Sequence, residues 1–284
     1  MDKLEYNLAM VMELGSYLKE IEEQSYEVCR EAIINDSSSI KYLNWKDLKD
    51  KLSEWEIEEL CLEAVMDKGL NLKYIPFDLL KDKLLKEQVE NITLKAIQEF
   101  EDSFQFAPIQ TDRICLEAVR RDGNLIVYVK NKVTNICIEA VRQNGLALKH
   151  TGGQIKRTCI EAVRQNGLAL EFVHTQTEDI CIEAVKQNAK ALKYVKKQTE
   201  AICVEALKQD KHAIEYVIDK EKYLKEFDIR YLEGEGPIKD VIAIKENGEW
   251  LFSIGCKKDI TKDEFLNIMY FKYPLYLGGD EFFL

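Results

Sequence analysis

The chain has 284 residues, 46% of them apolar, and a net charge of −11; it has material for a packed core and too little cationic excess for a general nucleic-acid coat. It holds no uninterrupted apolar run of the roughly 18 residues that a membrane helix needs, and Met1-Asp2-Lys3-Leu4-Glu5 lacks the basic-then-apolar order of an export signal. A cytoplasmic protein without membrane contact is the expectation, its eight cysteines reading as buried thiols.

The charge is uneven, at −11 over residues 1–110, +4 over 111–220 and −4 over 221–284. Residues 1–28 read as a degenerate N-terminal helical cap. Residues 29–110 form a long-repeat region: Cys29-Arg30-Glu31-Ala32-Ile33 and Cys61-Leu62-Glu63-Ala64-Val65 lie 32 residues apart, and Thr93 opens a further unit 32 residues on. The two longer units share an insertion, Leu48-Lys49-Asp50-Lys51-Leu52 and Leu80-Lys81-Asp82-Lys83-Leu84.

Residues 111–220 carry the clearest signal. Cys115, Cys137, Cys159, Cys181 and Cys203 are spaced by 22, and each opens Cys-x-Glu-Ala-(Val/Leu). Within one unit Ile136, Cys137, Ala140, Val141 and Asn144 share one helical face, and their small side chains let helices approach closely. Asn144-Gly145, Asn166-Gly167 and Asp122-Gly123 then match helix ends at which glycine takes the left-handed conformation. Ala147 and Leu148 begin a second, shorter apolar stripe, and Thr177 and Thr199 are placed to cap the helices that follow. A hairpin of 22 residues cannot bury its apolar face alone and must stack on its neighbours.

After Lys220 the repeat stops, and Glu233-Gly234-Glu235-Gly236-Pro237 marks a boundary. In the region 221–284, Val241 to Ile244 and Trp250 to Ile254 flank Asn247-Gly248 as a β-hairpin would. Thr261-Lys262-Asp263-Glu264 then reads as a capping box opening a helix through about Tyr270. The aromatic tail (Tyr270, Phe271, Tyr273, Tyr276, Phe282, Phe283) is expected to cover the open end of the array. The fold class expected is mainly α: an α-solenoid of about eight short helical-hairpin repeats of 22 and 32 residues, with a small α+β C-terminal cap.

On the Cys-x-Glu-Ala pattern over 111–217, and more weakly over 29–110, the units resemble a family of short helical repeats catalogued as domain of unknown function 4116. The resemblance does not reach the C-terminal cap. It implies a helical repeat fold and no activity, cofactor or catalytic residue.

The cysteine row invites a metal or redox site. Equivalent positions on stacked helices, however, sit too far apart for a disulfide, and no Cys-x-x-Cys pair exists. His150, His174 and His212 fall at different offsets in their units, so no recurring site forms; Cys159 with His150, or Cys181 with His174, is a conceivable nucleophile pair. Glu117, Glu139, Glu161, Glu183 and Glu205 precede Arg120, Arg142, Arg164, Lys186 and Lys208 by three, which reads as a carboxylate row beside a cationic row, neutralising one another on a solvated face. No phosphate loop, nucleophile elbow or zinc-protease motif occurs, and Gly152-Gly153 and Gly278-Gly279 read as loop turns. No cofactor, no metal and no catalytic residue is expected; an enzyme would need a pocket where the cap meets the last repeats, with Asp, His or Cys side chains converging on it.

The function expected is therefore non-catalytic binding of a macromolecule, with a protein as the partner. A sharper form is an acidic inhibitor using Glu54, Glu56, Glu58 and Glu59 to occlude the basic channel of a nucleic-acid-processing enzyme. The alternative is direct nucleic-acid binding through Arg142, Lys149, Arg157 and Arg164 in the basic middle repeats.

Overall fold

The computed structural model describes residues 2–234 and 239–272. The chain is mainly helical and forms two compact units, 1–162 and 163–284. The first carries α1 (Lys3–Glu13), α2 (Tyr26–Asn35), α3 (Trp45–Lys51), α4 (Glu54–Asp67), α5 (Lys86–Glu99), α6 (Asp112–Arg121) and α7 (Thr134–Gln143). The division falls inside α8 (Lys156–Gln165); the second unit continues with α9 (Glu178–Gln187), α10 (Glu200–Gln209) and the short α11 (Glu221–Leu224). Each repeat is an α-helix followed after one residue by a six-residue 3-10 helix, such as Gly123–Tyr128 after α6 or Ala189–Tyr194 after α9. Within each unit, consecutive helices and consecutive 3-10 helices pack side by side as solenoid repeats. Residues 1–28 already contain a complete pair, α1 with the 3-10 helix Gly15–Glu20. The insertion of the first long unit is α3; that of the second is a run of turns through Leu84.

The core is built from the repeat signature. Cys115, Ala118 and Val119 on α6 and Cys137, Ala140 and Val141 on α7 are all buried, as are Leu125 and Ile126 of the intervening 3-10 helix. The small Cys-Ala pair lets neighbouring helices close in, and the 3-10 helix supplies the larger aliphatic groups that fill the layer behind.

The glycines after each helix do something other than turn left-handed. Among the described residues the glycines with positive φ are Gly152, Gly248 and Gly255, so Gly123, Gly145 and Gly167 are not left-handed caps. The preceding Asn144 and Asn166 are extended, and their side chains accept the Leu146 and Leu168 N–H groups, starting the 3-10 helices. Gly123 is needed for close approach: a Cβ there would come within 2.3 Å of the Ala140 carbonyl oxygen in the next repeat. The expected threonine caps are also corrected. Thr177 and Thr199 sit at N-cap positions without a cap hydrogen bond, and Thr199 Oγ1 instead donates to Glu178 Oε1 of the preceding repeat at 2.6 Å. Thr111, in contrast, accepts the Ile114 N–H.

The C-terminal region holds more strand than the expected hairpin. An antiparallel sheet runs in the order β1 (Ile229–Leu232), β2 (Val241–Glu246), β3 (Glu249–Ile254) and β4 (Lys257–Ile260). The β2–β3 turn is Asn247-Gly248, both at positive φ, as a two-residue hairpin turn requires. Thr261 and Glu264 form the expected capping box of α12 (Lys262–Lys272), whose Phe265 stacks on Phe252 of β3 with ring centroids 4.8 Å apart. Tyr270 and Phe271 are exposed; Glu235, Gly236, Pro237 and the tail from Tyr273 on, including Tyr276, Gly278, Gly279, Phe282 and Phe283, lie outside the described residues.

Candidate functional site

Two backbone clips join the repeats. Five residues before five of the seven repeat cysteines stands a glutamine, and in Gln176 its amide spans one repeat to the next: Gln176 Nε2 donates to the Tyr194 carbonyl and Gln176 Oε1 accepts the Lys196 N–H, both at 2.9 Å. Gln24, Gln110 and Gln198 repeat this with Tyr42, Tyr128 and Tyr216. The cysteine itself donates to the same oxygen, as Cys181 Sγ does to Gln176 Oε1 at 3.8 Å. A second clip runs backward, with Gln143 Oε1 accepting the Gly123 N–H at 2.7 Å. These glutamines were missed by sequence reasoning, although their fixed offset from five of the seven repeat cysteines was visible. Burial raises every repeat thiol above the usual range, Cys115 to about 11 and Cys29 to about 12, so they are packing groups rather than thiolates.

The charged rows meet mainly across repeats rather than within a helix. Arg142 Nε donates to Glu161 Oε2 at 3.0 Å, Arg164 Nε to Glu183 Oε2 at 2.6 Å and Arg120 Nε to Glu139 Oε2 at 3.4 Å. These are mutually neutralised pairs on a solvated face, and the guanidinium of Arg142 is further stabilised in its charged form by Glu161 and then Glu139. Of the other cations singled out, Lys149 and Arg157 are exposed.

In the first repeats the row position filled by Arg120 and Arg142 carries Met12, Ile34 and Met66 instead. They are 57%, 54% and 52% exposed on α1, α2 and α4, which pack in that order. Three equivalent positions on adjacent helices thus form an apolar row in the most acidic third of the chain. Glu54, Glu56, Glu58 and Glu59 of α4 are placed differently from a free acidic patch. Glu54 is exposed, but Glu56 is held by the Ser53 capping box, which pulls its carboxyl below the usual range. Glu58 accepts from Gln88 at 2.6 Å, and Glu59 accepts from Tyr26 at 2.6 Å and from Arg30 at 3.2 Å.

The second unit contains a cavity of about 250 Å³ between its last 3-10 helix and the sheet, lined by His212, Ser253, Gly255, Lys239, Asp240 and Lys258 among others. His212 Nδ1 lies 3.0 Å from Asp210 Oδ1, and its Nε2 lies 2.9 Å from Ser253 Oγ. The outline is that of a serine, histidine and carboxylate set, and it stands where a catalytic centre was expected if one existed. Two further contacts engage the same groups. Asp259 Oδ1 sits 3.1 Å from the same Nε2, and the Asp259 N–H donates to Ser253 Oγ at 3.1 Å, so the histidine and the serine also hold β4. Asp210 also fills the Asx position that opens most such 3-10 helices, accepting the His212 N–H at 2.8 Å. The geometry fastens the last repeat to the sheet.

No group of three or more His, Cys, Asp or Glu side chains that could hold a metal ion occurs among the described residues, and no described helix is long and apolar enough to cross a membrane. No curated protein and no solved structure matches the chain. Residues 156–200 and 177–221 match the family model of a domain of unknown function, DUF4116. The overlapping matches advance by about one 22-residue repeat, and over 156–221 the chain carries repeats of the DUF4116 family.

Proposed function

We propose that this chain is a non-catalytic binding protein whose first unit docks a protein partner along the row Met12, Ile34 and Met66. The observation that carries this is the exposure of three large apolar side chains at one repeat position, where the later repeats carry cations paired with glutamate. An apolar row that gains nothing from water, framed by carboxylates, favours a partner that brings apolar and basic groups together. Unpaired cysteines fit a reducing compartment such as the cytoplasm.

An acidic inhibitor that covers the basic surface of a nucleic-acid-processing enzyme is the sharper form of the same reading. With Glu56, Glu58 and Glu59 already bonded inside the fold, the support for it is the charge of −11 over residues 1–110 rather than those groups alone. The test is affinity capture from nuclease-treated host lysate with the wild-type chain and with Ile34→Arg, which places at α2 the residue that α7 carries at the same position. A protein retained by the wild type and lost by the variant is the expected result; equal recovery, or recovery of nucleic acid alone from untreated lysate, overturns it.

Nucleic-acid binding is a second reading, favoured by the exposure of Lys149 and Arg157. It requires affinity that falls steeply with salt and weakens on removing Lys149, Arg157, Arg142 or Arg164.

A further inference from the structure

We infer that the occupant of the row is a basic amphipathic helix lying across α1, α2 and α4, presenting an apolar side chain about every seventh residue with Lys or Arg beside each. The inference rests on the reading that this row binds protein, and adds the partner's conformation, spacing and charge.

The spacing comes from the repeat. Met12, Ile34 and Met66 occupy one position on three helices packed in sequence, so neighbouring side chains are separated by about one interhelical distance, roughly 8–10 Å. Along an α-helix that distance corresponds to about five to seven residues at about 1.5 Å each, and of these spacings seven, two turns, returns a side chain to the same face, so apolar groups at i, i+7 and i+14 meet the three row positions. A helix satisfies its own backbone hydrogen bonds, which suits a row offering apolar side chains and no strand edge. Two of the three row residues are methionines, whose flexible thioethers adapt to the shape of an incoming side chain.

The charge comes from the flanks. Glu13 follows Met12, Asp36 lies two residues after Ile34 and Asp67 follows Met66; all three are exposed, Asp36 also accepting the Ser38 N–H and Asp67 the Ser37 hydroxyl through one oxygen each. Lys68 is the only cation within two residues of the row in sequence. Cations placed beside each apolar side chain of the occupant would meet these carboxylates, whereas an acidic helix would be repelled at each step.

The probe is a labelled synthetic peptide of 21 residues with leucine at every seventh position, a lysine beside each leucine and alanine elsewhere, titrated into the full chain by fluorescence anisotropy at fixed salt. Three companions carry glutamate for lysine, leucines moved to every fifth position, or a central proline. Saturable binding of the first peptide is expected, at least tenfold tighter than each companion and at least tenfold weakened by Ile34→Arg and by Met66→Arg, with helicity gained on binding. Circular dichroism of the variants checks that the repeats remain folded. Equal binding of all peptides, or binding unchanged by both row substitutions, overturns the inference. If the peptides fail while Ile34→Arg still loses the lysate partner, the crossing-helix geometry falls and the docking reading stands; if lysate capture is also indifferent to Ile34→Arg, both fall.

Discussion

Gln176 and Tyr194 belong to consecutive repeats, and the amide of the first donates to the carbonyl of the second at 2.9 Å while accepting the N–H two residues further on. One side chain thereby satisfies a donor and an acceptor of an irregular connector that no helix or sheet ladder would otherwise pair. Replacing Gln176 by Ala leaves both unmet and is expected to destabilise the second unit by about 1–3 kcal/mol. Gln176→Glu keeps the acceptor but opposes a carboxylate to the Tyr194 carbonyl, so it should not rescue. Urea unfolding monitored by circular dichroism reads both, and a midpoint unchanged in Gln176→Ala would show that water replaces the clip at no cost.

The glycine contacts make a comparison within one molecule. A methyl group on Gly123 meets the Ala140 carbonyl oxygen at 2.3 Å, while one on Gly153 has nothing within 4 Å. Ala189 fills the same repeat position as Gly123, so the stack adjusts to a methyl group, and Gly123→Ala is expected to cost about 1–3 kcal/mol without preventing folding. Gly153→Ala should change stability by no more than about 0.5 kcal/mol. Melting curves of the two variants decide it, and equal melting temperatures would remove the close-approach argument.

Thiol chemistry should separate Cys256 from the rest. Seven of the eight cysteines are buried and Cys256 is exposed. A thiol reagent at pH 8 is expected to modify one group quickly in the native chain and eight in denaturant. The buried thiols also set an alkaline limit: burial raises Cys115 from about 9 to about 11, so the unfolded chain releases its protons first. Stability from this source is fully present below about pH 9 and is lost as pH rises towards 11. The urea midpoint followed from pH 7 upward should fall in that window, and Cys115→Ala should flatten part of the fall.

Freeing one arm of the charged row should expose its cation. Glu161 engages Arg142 through two hydrogen bonds of 3.0 and 3.3 Å. Glu161→Gln is expected to raise the salt concentration that elutes the chain from a heparin column, because Arg142 loses its strongest partner. Unchanged elution would mean that the pair does not hold Arg142 in solution.

His212 is expected to fasten the sheet rather than activate a nucleophile. A fluorophosphonate probe should leave Ser253 unlabelled, and His212→Gln should make the residues after 220 more sensitive to limited proteolysis. Labelling of Ser253 that disappears in His212→Gln would instead favour an enzyme with its centre at this cavity.

Periodicity in the chain was enough to determine the repeat. A cysteine, a glutamate and an alanine returning every 22 residues dictate a helix face narrow enough to stack, and the Asn-Gly and Thr-x-x-Glu signals located the β2–β3 turn and the start of α12. The tertiary structure decided which backbone each signal served. Gly123 looked like a left-handed cap because a glycine after an Asx residue commonly is one; only the approach of Ala140 from the next repeat shows that the absent Cβ makes room for a neighbour. The carboxylate and cationic rows were legible, but their pairing across repeats depends on the stacking offset between helices, which no single helix encodes. Met12, Ile34 and Met66 passed unnoticed for the same reason: over 50% exposed and each solitary in sequence, they become a row only when folding brings α1, α2 and α4 side by side.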